Sequence, residues 1–396
     1  MDKQNNQTWC ATALHHLRIL NDGTASVCCQ NKSNFGSFSV GNNSIQEIFN
    51  SPPAKQIRQN LIQGIKDQSC QQCWDEEAAG KVSERMRANQ RYAQDNNFRG
   101  LTSIELNLGN NCNLKCRTCN PRSSSTWMKE DYDLNYSNQI SFKTYSNDMK
   151  KYHQQFDESS IFWDDLIENL STIKYFSFYG GEPLLSEKMW RVLEICVDRG
   201  YAQDINIKYN TNGTVWPKQT KLWNHFKSVN LDFSIDGIGE QFEYMRYPAK
   251  WSDVQQTLAK AKEFRLTYPN MLMTWCITLS ALNIYSLPEI VEVAAAEYPE
   301  FNPYLNIIYN PSYYNMSMLP TQLRLDIIKK LMTIPKTNTA VWKNLLGVIN
   351  FIKNGNYNED SWTKFLDNIK THDLYRRQNF YSTFYEYGKL IDLIKN

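Results

Sequence analysis

Residues 103–119, SIELNLGNNCNLKCRTC, set an alternating strand pattern directly against three cysteines. Successive side chains of a strand point to opposite faces, so Ile104, Leu106 and Leu108 lie on one face and Glu105 and Asn107 on the other. Beyond Gly109 the loop carries Cys112, Cys116 and Cys119, with no fourth cysteine or histidine close by. A structural zinc wants four closed ligands, usually in two pairs. Three thiolates on a cubane iron–sulfur cluster leave one iron open to a small molecule.

The same theme repeats downstream. Strand candidates at 173–179 (IKYFSFY), 204–210 (DINIKYN), 229–236 (VNLDFSID), 271–279 (MLMTWCITL) and 304–310 (YLNIIYN) alternate with helical patterns. Among these are Met189, Leu193 and Cys196 with Gly200 as a stop, Val254, Leu258, Ala261 and Phe264, and Ile284, Leu287, Ile290, Val291 and Ala294. Six strands with helices between them predict parallel pairing through right-handed crossovers. Parallel strands covered on both faces should be almost continuously apolar. Here Ile205, Ile207 and Tyr209 oppose Asn206, Lys208 and Asn210, and Leu231, Phe233 and Ile235 oppose Asp232, Ser234 and Asp236. An apolar outer face under helices and a polar inner face predict an α/β fold, a partial (β/α)6 TIM-like barrel with a polar, ligand-holding interior. The competing arrangement, an antiparallel sheet with one wet face, leaves the intervening helices without a place.

The chain of 396 residues, 41% apolar, can bury a principal domain and an appendage. A formal net charge of +2 gives no electrostatic reason to expect a nucleic acid or an anionic membrane as partner. The start, MDKQNNQTWCATALHH, has no signal-like apolar stretch and no run of 18 apolar residues follows, so the expected location is the cytoplasm, away from membranes. In that compartment ten cysteines point to metal or redox chemistry rather than disulfides. The expected domains are 1–95, carrying the N-terminal cysteines, 96–315, the barrel, with 132–160 as an insertion, and 316–396, a helical, aromatic C-terminal region.

C-x3-C-x2-C at the C-terminal end of the first strand, the catalytic face of a β/α barrel, resembles the radical S-adenosylmethionine (SAM) enzymes. The resemblance implies a [4Fe–4S] cluster on Cys112, Cys116 and Cys119 that takes the amino and carboxylate groups of SAM as its fourth ligand. YGGEP, Tyr179 to Pro183, looks like the family's GGEP element, implying that Gly180, Gly181, Glu182 and Pro183 receive the methionine ammonium. NTNG at 210–213 and SIDG at 234–237 resemble positions that meet the SAM ribose and carboxylate, which implicates Asn210, Asn212, Ser234 and Asp236. EYMR at 243–246 resembles the family's aspartate-x-x-arginine, so Arg246 is a candidate carboxylate clamp, while Glu243 departs from the pattern. Thr118 stands where many relatives carry an aromatic, at a position implied to contact adenine largely through its backbone.

The N-terminal cysteines form a second set. Cys10, Gly23 and Cys28 follow a C-x12-G-x4-C spacing, and IQEIFNSPPAKQIRQNLIQGIKDQSCQQCW at 45–74 closes with a C-x2-C pair. The arrangement resembles the SPASM and twitch auxiliary-cluster modules, implying one auxiliary [4Fe–4S] cluster on Cys10, Cys28, Cys70 and Cys73. Five cysteines rather than seven fit the one-cluster twitch version, here placed before the barrel. From spacing alone, a structural zinc suits the same four thiols. Cys29 is either a spare thiol or an exchanged ligand. His15 and His16 are expected to be solvated or packed rather than ligating. Cys196 lies on the apolar stripe of a helix and belongs to the core. Cys276 shares a strand face with Thr274 and Thr278, the predicted interior, and is a candidate hydrogen-atom donor.

The resemblance implies reductive cleavage of SAM to a 5′-deoxyadenosyl radical, which abstracts hydrogen from a peptide or a polar small molecule. Lys208, Asp232 and Glu105 on the inner face favour a polar group at the reacting centre. An oxidative modification is expected, with the auxiliary cluster accepting an electron and a reductase or a flavodoxin- or ferredoxin-type donor supplying one. Two alternatives stand beside it: a redox-neutral epimerase or rearrangement enzyme, and a non-catalytic, zinc-stapled binding scaffold.

Overall fold

The computed structural model describes residues 7–31, 43–78, 80, 82–93, 100–157, 160–336 and 339–395. Among the described residues the strands are β1 (His16–Ile19), β2 (Ala25–Ser26), β3 (Ser103–Asn107), β4 (Tyr175–Tyr179), β5 (Asn206–Thr211), β6 (Ser228–Ser234), β7 (Met271–Leu279) and β8 (Asn302–Ile307). They form one open sheet in the order β2-β1-β3-β4-β5-β6-β7-β8. The pairs β1–β3, β3–β4, β4–β5 and β7–β8 are parallel, and the short β1–β2 hairpin pair is antiparallel. This is the mixed α/β, partial TIM-like barrel predicted from the alternation. All six expected strands form, with ends shifted by up to three residues.

The two additional strands come from the N-terminal segment. Leu17 and Ile19 are buried on one face of β1 while His16 and Arg18 turn to the other, continuing the alternation of β3 beside it. His16 is packed in the sheet, its Nδ1 2.7 Å from Ser103 Oγ. No helix of the described residues is long and apolar enough to cross a membrane.

Packing divides the chain into two compact units. The first comprises Met1–Asn113, Pro121–Asn210 and Pro217–Asn230. Its apolar layer lies under the outer strand faces, where Phe176, Phe178 and Tyr209 stack with ring centroids 5.4 Å apart. The helix Glu187–Asp198 covers them with Met189, Trp190, Leu193 and the fully buried Cys196. Burying such side chains contributes about 1.5–3 kcal/mol each. The inner face is built by register. Arg18, Glu105, Ser177 and Lys208 form one row across β1, β3, β4 and β5, above a row of His16, Ser103, Tyr175 and Asn206.

The stretch expected as an insertion, 132–160, carries helical structure through residue 157. The helices Met128–Asn135 and Phe142–Asp157 face each other through aromatic rings, with Tyr132–Phe142 and Tyr136–Tyr145 centroids both at 5.2 Å. Tyrosines at 132, 136 and 145 score as polar in a hydropathy pattern but pack as apolar bodies. Residues 158 and 159 lie outside the described residues.

The second unit comprises Leu114–Asn120, Thr211–Trp216 and Leu231–Asn396. Here β7 and β8 pair from Thr274↔Asn302 to Leu279↔Ile307. The helix Trp251–Thr267 buries Val254, Leu258 and Ala261, and Leu287–Glu297 buries Leu287, Ile290, Val291 and Ala294. The C-terminal helices Thr321–Leu331, Thr339–Lys353, Glu359–Arg376 and Tyr385–Lys395 belong to the same unit. Tyr387 Oη donates to Ala281 O at 2.9 Å, and Phe384 packs on Tyr244 at 5.4 Å.

Candidate functional site

In the first unit, the chain leaving β4 turns back onto the chain leaving β3. Gly180 and Gly181 have φ of +81° and +53°, a region that L side chains rarely adopt. Space is equally limiting: a Cβ on Gly180 would sit 1.6 Å from Asn107 Oδ1, and one on Gly181 2.3 Å from Asn111 O. The Glu182 N–H donates to Asn111 O at 2.8 Å, and Leu108 N–H to Tyr179 O at 2.9 Å, extending the ladder past both strand ends. The Glu182 residue is 2% exposed, and its Oε1 accepts from Leu184 N–H at 3.2 Å, starting the 3-10 turn Pro183–Leu185.

The same unit clamps both ends of the cysteine loop. Asn110 Nδ2 donates to Pro121 O at 2.9 Å and Ser125 N–H to Asn110 O at 2.7 Å, bracketing the segment that carries the three cysteines. Cys112 is half-buried. The side-chain carbonyl oxygens of Asn107 and Asn210, in the same unit, are buried and lack hydrogen-bond partners. Such acceptors are costly unless a donor arrives from elsewhere, so they suit a ligand bearing ammonium or hydroxyl groups.

In the second unit, Cys116 and Cys119 are half-buried and close a turn, Cys119 N–H donating to Cys116 O at 3.0 Å. The turn is pinned by Lys115 N–H to Tyr247 O and Arg117 N–H to Met245 O, both 2.8 Å. Between those two carbonyls lies Arg246, whose Nη1 donates to Cys116 Sγ at 3.8 Å and whose Nη2 donates to Asp236 Oδ2 at 2.7 Å. Asp236 is fixed in turn by Thr278 N–H on Oδ1 at 2.7 Å. Burial alone would lower the Arg246 pKa; Asp236 and the Cys116 and Cys276 thiols overcome this and raise it. Asn212 closes its own turn, its Oδ1 accepting from Thr214 N–H at 2.9 Å and Oγ1 at 2.6 Å. Ser234 and Thr118 are half-buried, and Cys276 is 7% exposed.

Glu243, the departure from the family pattern, starts the helix Trp251–Thr267: its Oε1 accepts from Trp251 N–H at 3.1 Å and its Oε2 pairs with Lys250 at 2.7 Å. An acidic group at a helix N-terminus is favoured by the helix dipole.

The N-terminal thiols share one cavity. Cys10, Cys28, Cys70 and Cys73 line one cavity of the first unit together with Val27, Leu61, Trp74 and Arg85. Cys10 begins the helix Ala11–His15, Cys70 ends a 3-10 turn, and Cys73 lies on the helix Gln71–Ala78 that follows it. Burial pushes Cys10 up to about 12 and Cys73 up to about 11, and raises Cys28 and Cys70. Thiols so placed ionise only against a compensating positive charge, as a metal centre supplies. Asn31 Nδ2 donates to Cys70 Sγ at 3.7 Å. Among the described residues no three His, Cys, Asp or Glu side chains stand close enough together to hold a metal ion. Cys29 is exposed and outside this wall, with Glu105, Arg18 and Lys208 as charged neighbours.

Glu105 forms a buried ion pair outside the family-like motifs. Glu105 is 5% exposed, 2.6 Å from Arg18 Nε and 3.7 Å from His16 Nε2. Burial would raise its pKa, but the His16 and Arg18 contacts hold it below the usual carboxylate value. Only the pairing of β1 with β3 reveals the contact, although the HLRI alternation carries a weak hint of that strand.

Residues 106–278 match the radical SAM superfamily and residues 10–74 match an iron–sulfur cluster-binding domain, SPASM. Among curated proteins there is no significant match. Among solved structures, native anSMEcpe with bound AdoMet is 17% identical at a TM-score of 0.37, over 61% of this chain and 60% of that one. SuiB of Streptococcus suis bound to S-adenosylmethionine is 13% identical at a TM-score of 0.36, over 74% and 60%. The chain thus spans about three fifths of the length of these structures. Residues 106–278 thus belong to the radical SAM superfamily, and the match to an iron–sulfur cluster-binding domain at 10–74 precedes them in the chain.

Proposed function

We propose that the protein uses SAM and a [4Fe–4S] cluster on Cys112, Cys116 and Cys119 to take a hydrogen atom from a peptide or a polar small molecule. The modification is oxidative in this reading, and Cys10, Cys28, Cys70 and Cys73 would hold a second [4Fe–4S] cluster able to accept an electron. The observation that carries it is the Gly180–Gly181–Glu182 turn lying backbone against backbone on residues 107–111, at the entrance of the cysteine loop. A cluster and SAM held there would supply one-electron cleavage of the S–C5′ bond, the source of a 5′-deoxyadenosyl radical.

The chain's own residues bind and orient. Glu182 offers a buried carboxylate to the methionine ammonium, a charge-assisted contact strengthened by exclusion of water. Asn210, Asn212, Ser234 and Asp236 would meet the ribose and carboxylate, Arg246, held by Asp236, would help clamp the carboxylate, and Thr118 would meet the adenine largely through its backbone. The charged row of Arg18, Glu105 and Lys208 in the first unit would suit a polar reacting group, as would Asp232 in the second. In this reading 1–95 is a twitch-like domain, 96–315 the barrel and 316–396 a helical extension, with a reductase or a flavodoxin- or ferredoxin-type protein as electron donor.

A redox-neutral reaction is favoured by one observation, the buried Cys276 on the same β7 face as Thr274 and Thr278, where a thiol could return hydrogen to a substrate radical. The deciding experiment is anaerobic purification with iron, sulfide and zinc counted per chain, together with 5′-deoxyadenosine formation on reduction. About eight irons, falling to about four in a Cys112/Cys116/Cys119→Ala variant, support a cluster at each set. About four irons plus one zinc make the N-terminal centre structural, and zinc alone refutes the enzyme reading.

A further inference from the structure

Behind the Cys116–Cys119 turn lies a buried polar cluster to which the proposed chemistry assigns no role. Arg117 sits between the two thiols in sequence, yet its side chain, 1% exposed, runs into the protein and pairs with Asp373. It also donates to Gln378 Oε1 at 2.9 Å, and its guanidinium stacks 4.1 Å over the Tyr244 ring. Asp373 accepts from Tyr244 Oη at 2.8 Å and from Phe380 N–H at 2.6 Å. The chain after the helix Glu359–Arg376 therefore folds around Asp373, with Arg377 and Gln378 N–H both donating to its backbone carbonyl. Every group in this cluster belongs to the second unit.

The arrangement ties the turn down twice. Its backbone is held by Met245 O and its side chain by Asp373, 256 residues away. The segment that supplies Met245 O also carries Arg246, which donates to Cys116 Sγ. Moving the Arg117 anchor would therefore shift Cys116 relative to its own hydrogen-bond donor. A buried guanidinium stays in place only while it is paired. Both hydrogen bonds leave one nitrogen, Nη2, while Nε and Nη1 lack a hydrogen-bond partner, and the planar face lies on the Tyr244 ring, a stacking that an ammonium does not reproduce.

We propose that Arg117 is a positioning residue, which through Asp373 fixes Cys116 and Cys119 in the geometry their cluster requires, so that the helix Glu359–Arg376 is part of the cluster-binding apparatus. The inference rests on reading Cys112, Cys116 and Cys119 as ligands of that cluster. It assigns a role to a C-terminal region outside both family matches.

The test uses the full chain, reconstituted anaerobically, with Arg117→Met, Arg117→Lys and Asp373→Asn compared by iron content, by the electron paramagnetic resonance spectrum of the reduced protein with and without SAM, and by midpoint potential. The N-terminal cluster reports folding in the same sample. Arg117→Met is expected to drop iron from about eight to about four per chain while that signal persists. Arg117→Lys and Asp373→Asn are expected to keep the iron but broaden the reduced spectrum, shift its potential and weaken its change on adding SAM at least tenfold. Should Arg117→Met not fold, the two milder variants decide by the same readouts. Unchanged spectra and potentials in folded variants overturn the positioning role. Iron content that does not fall when Cys112, Cys116 and Cys119 are changed to Ala overturns the underlying reading instead, and the positioning role with it.

Discussion

Replacing Asp236 with Asn isolates the pair that holds Arg246 to the cysteine turn. Both side chains are buried, 10% exposed for Arg246 and 2% for Asp236, with N···O at 2.7 Å. Asn keeps an acceptor for Thr278 N–H, so the loss is specific: a carboxylate oxygen facing Arg246 Nη2 becomes an amide donor facing a donor. Removing one partner of a buried ion pair costs about 3–5 kcal/mol, because the remaining charge is uncompensated. Arg246 keeps its contact to Cys116 Sγ, which places Asp236→Asn near the lower figure, about 3 kcal/mol. At about 1.4 kcal/mol per decade this is roughly a hundredfold in the unfolding equilibrium, against a typical total of about 5–15 kcal/mol. The assay is guanidinium unfolding of the metal-free full chain, with Asp236→Asn, Arg246→Met and the double variant closing a cycle. The double variant should cost less than the sum of the single ones by at least about 1 kcal/mol. A single-variant loss below about 0.5 kcal/mol, or strict additivity, would falsify the claim that this pair is a coupled, desolvated unit.

Gly181→Ala should weaken SAM binding to the reconstituted protein at least tenfold in calorimetry, because the new Cβ meets Asn111 O at 2.3 Å; an unchanged affinity would separate that turn from the ligand. Glu105 has a lowered folded pKa, so its contribution is present above its unfolded value of about 4.5 and is lost as pH falls through the lower folded value. Glu105→Gln should therefore destabilise the chain at neutral pH and converge on the parent in acid, and a gap independent of pH would rule the linkage out. Cys276→Ala should leave oxidative turnover intact and abolish a redox-neutral one; product formed at the normal rate would remove Cys276 as hydrogen donor.

The alternation of SIELNL, DINIKYN and VNLDFSID was readable because facing is a local property: each strand's own sequence says which side is dry. Pairing across the chain is not local. β1 spans only His16–Ile19, too short for a period to stand out, and its place beside β3 depends on a partner 87 residues away. Arg117 and Asp373 are further apart still, and no spacing rule links an arginine in a cysteine loop to an aspartate in a late helix. The GGEP glycines could be recognised as a motif, but their physical necessity, contact with Asn107 and Asn111, required coordinates.

Asp236 and Arg246 show how geometry changes a reading taken from motifs alone. Their motifs assign both to one small ligand, but the side chains engage each other first, and Nη1 and Nη2 of Arg246 are spent on Cys116 and Asp236. The buried Nε lacks a hydrogen-bond partner. An incoming carboxylate therefore has one donor already waiting and must share the others with Asp236, an acid it would repel. The pair is better suited to hold a guanidinium at a fixed angle than to bind an anion strongly by itself. Tight carboxylate capture at this position then needs a Lewis acid nearby, which the open iron of a cluster held by the adjacent Cys116 would supply.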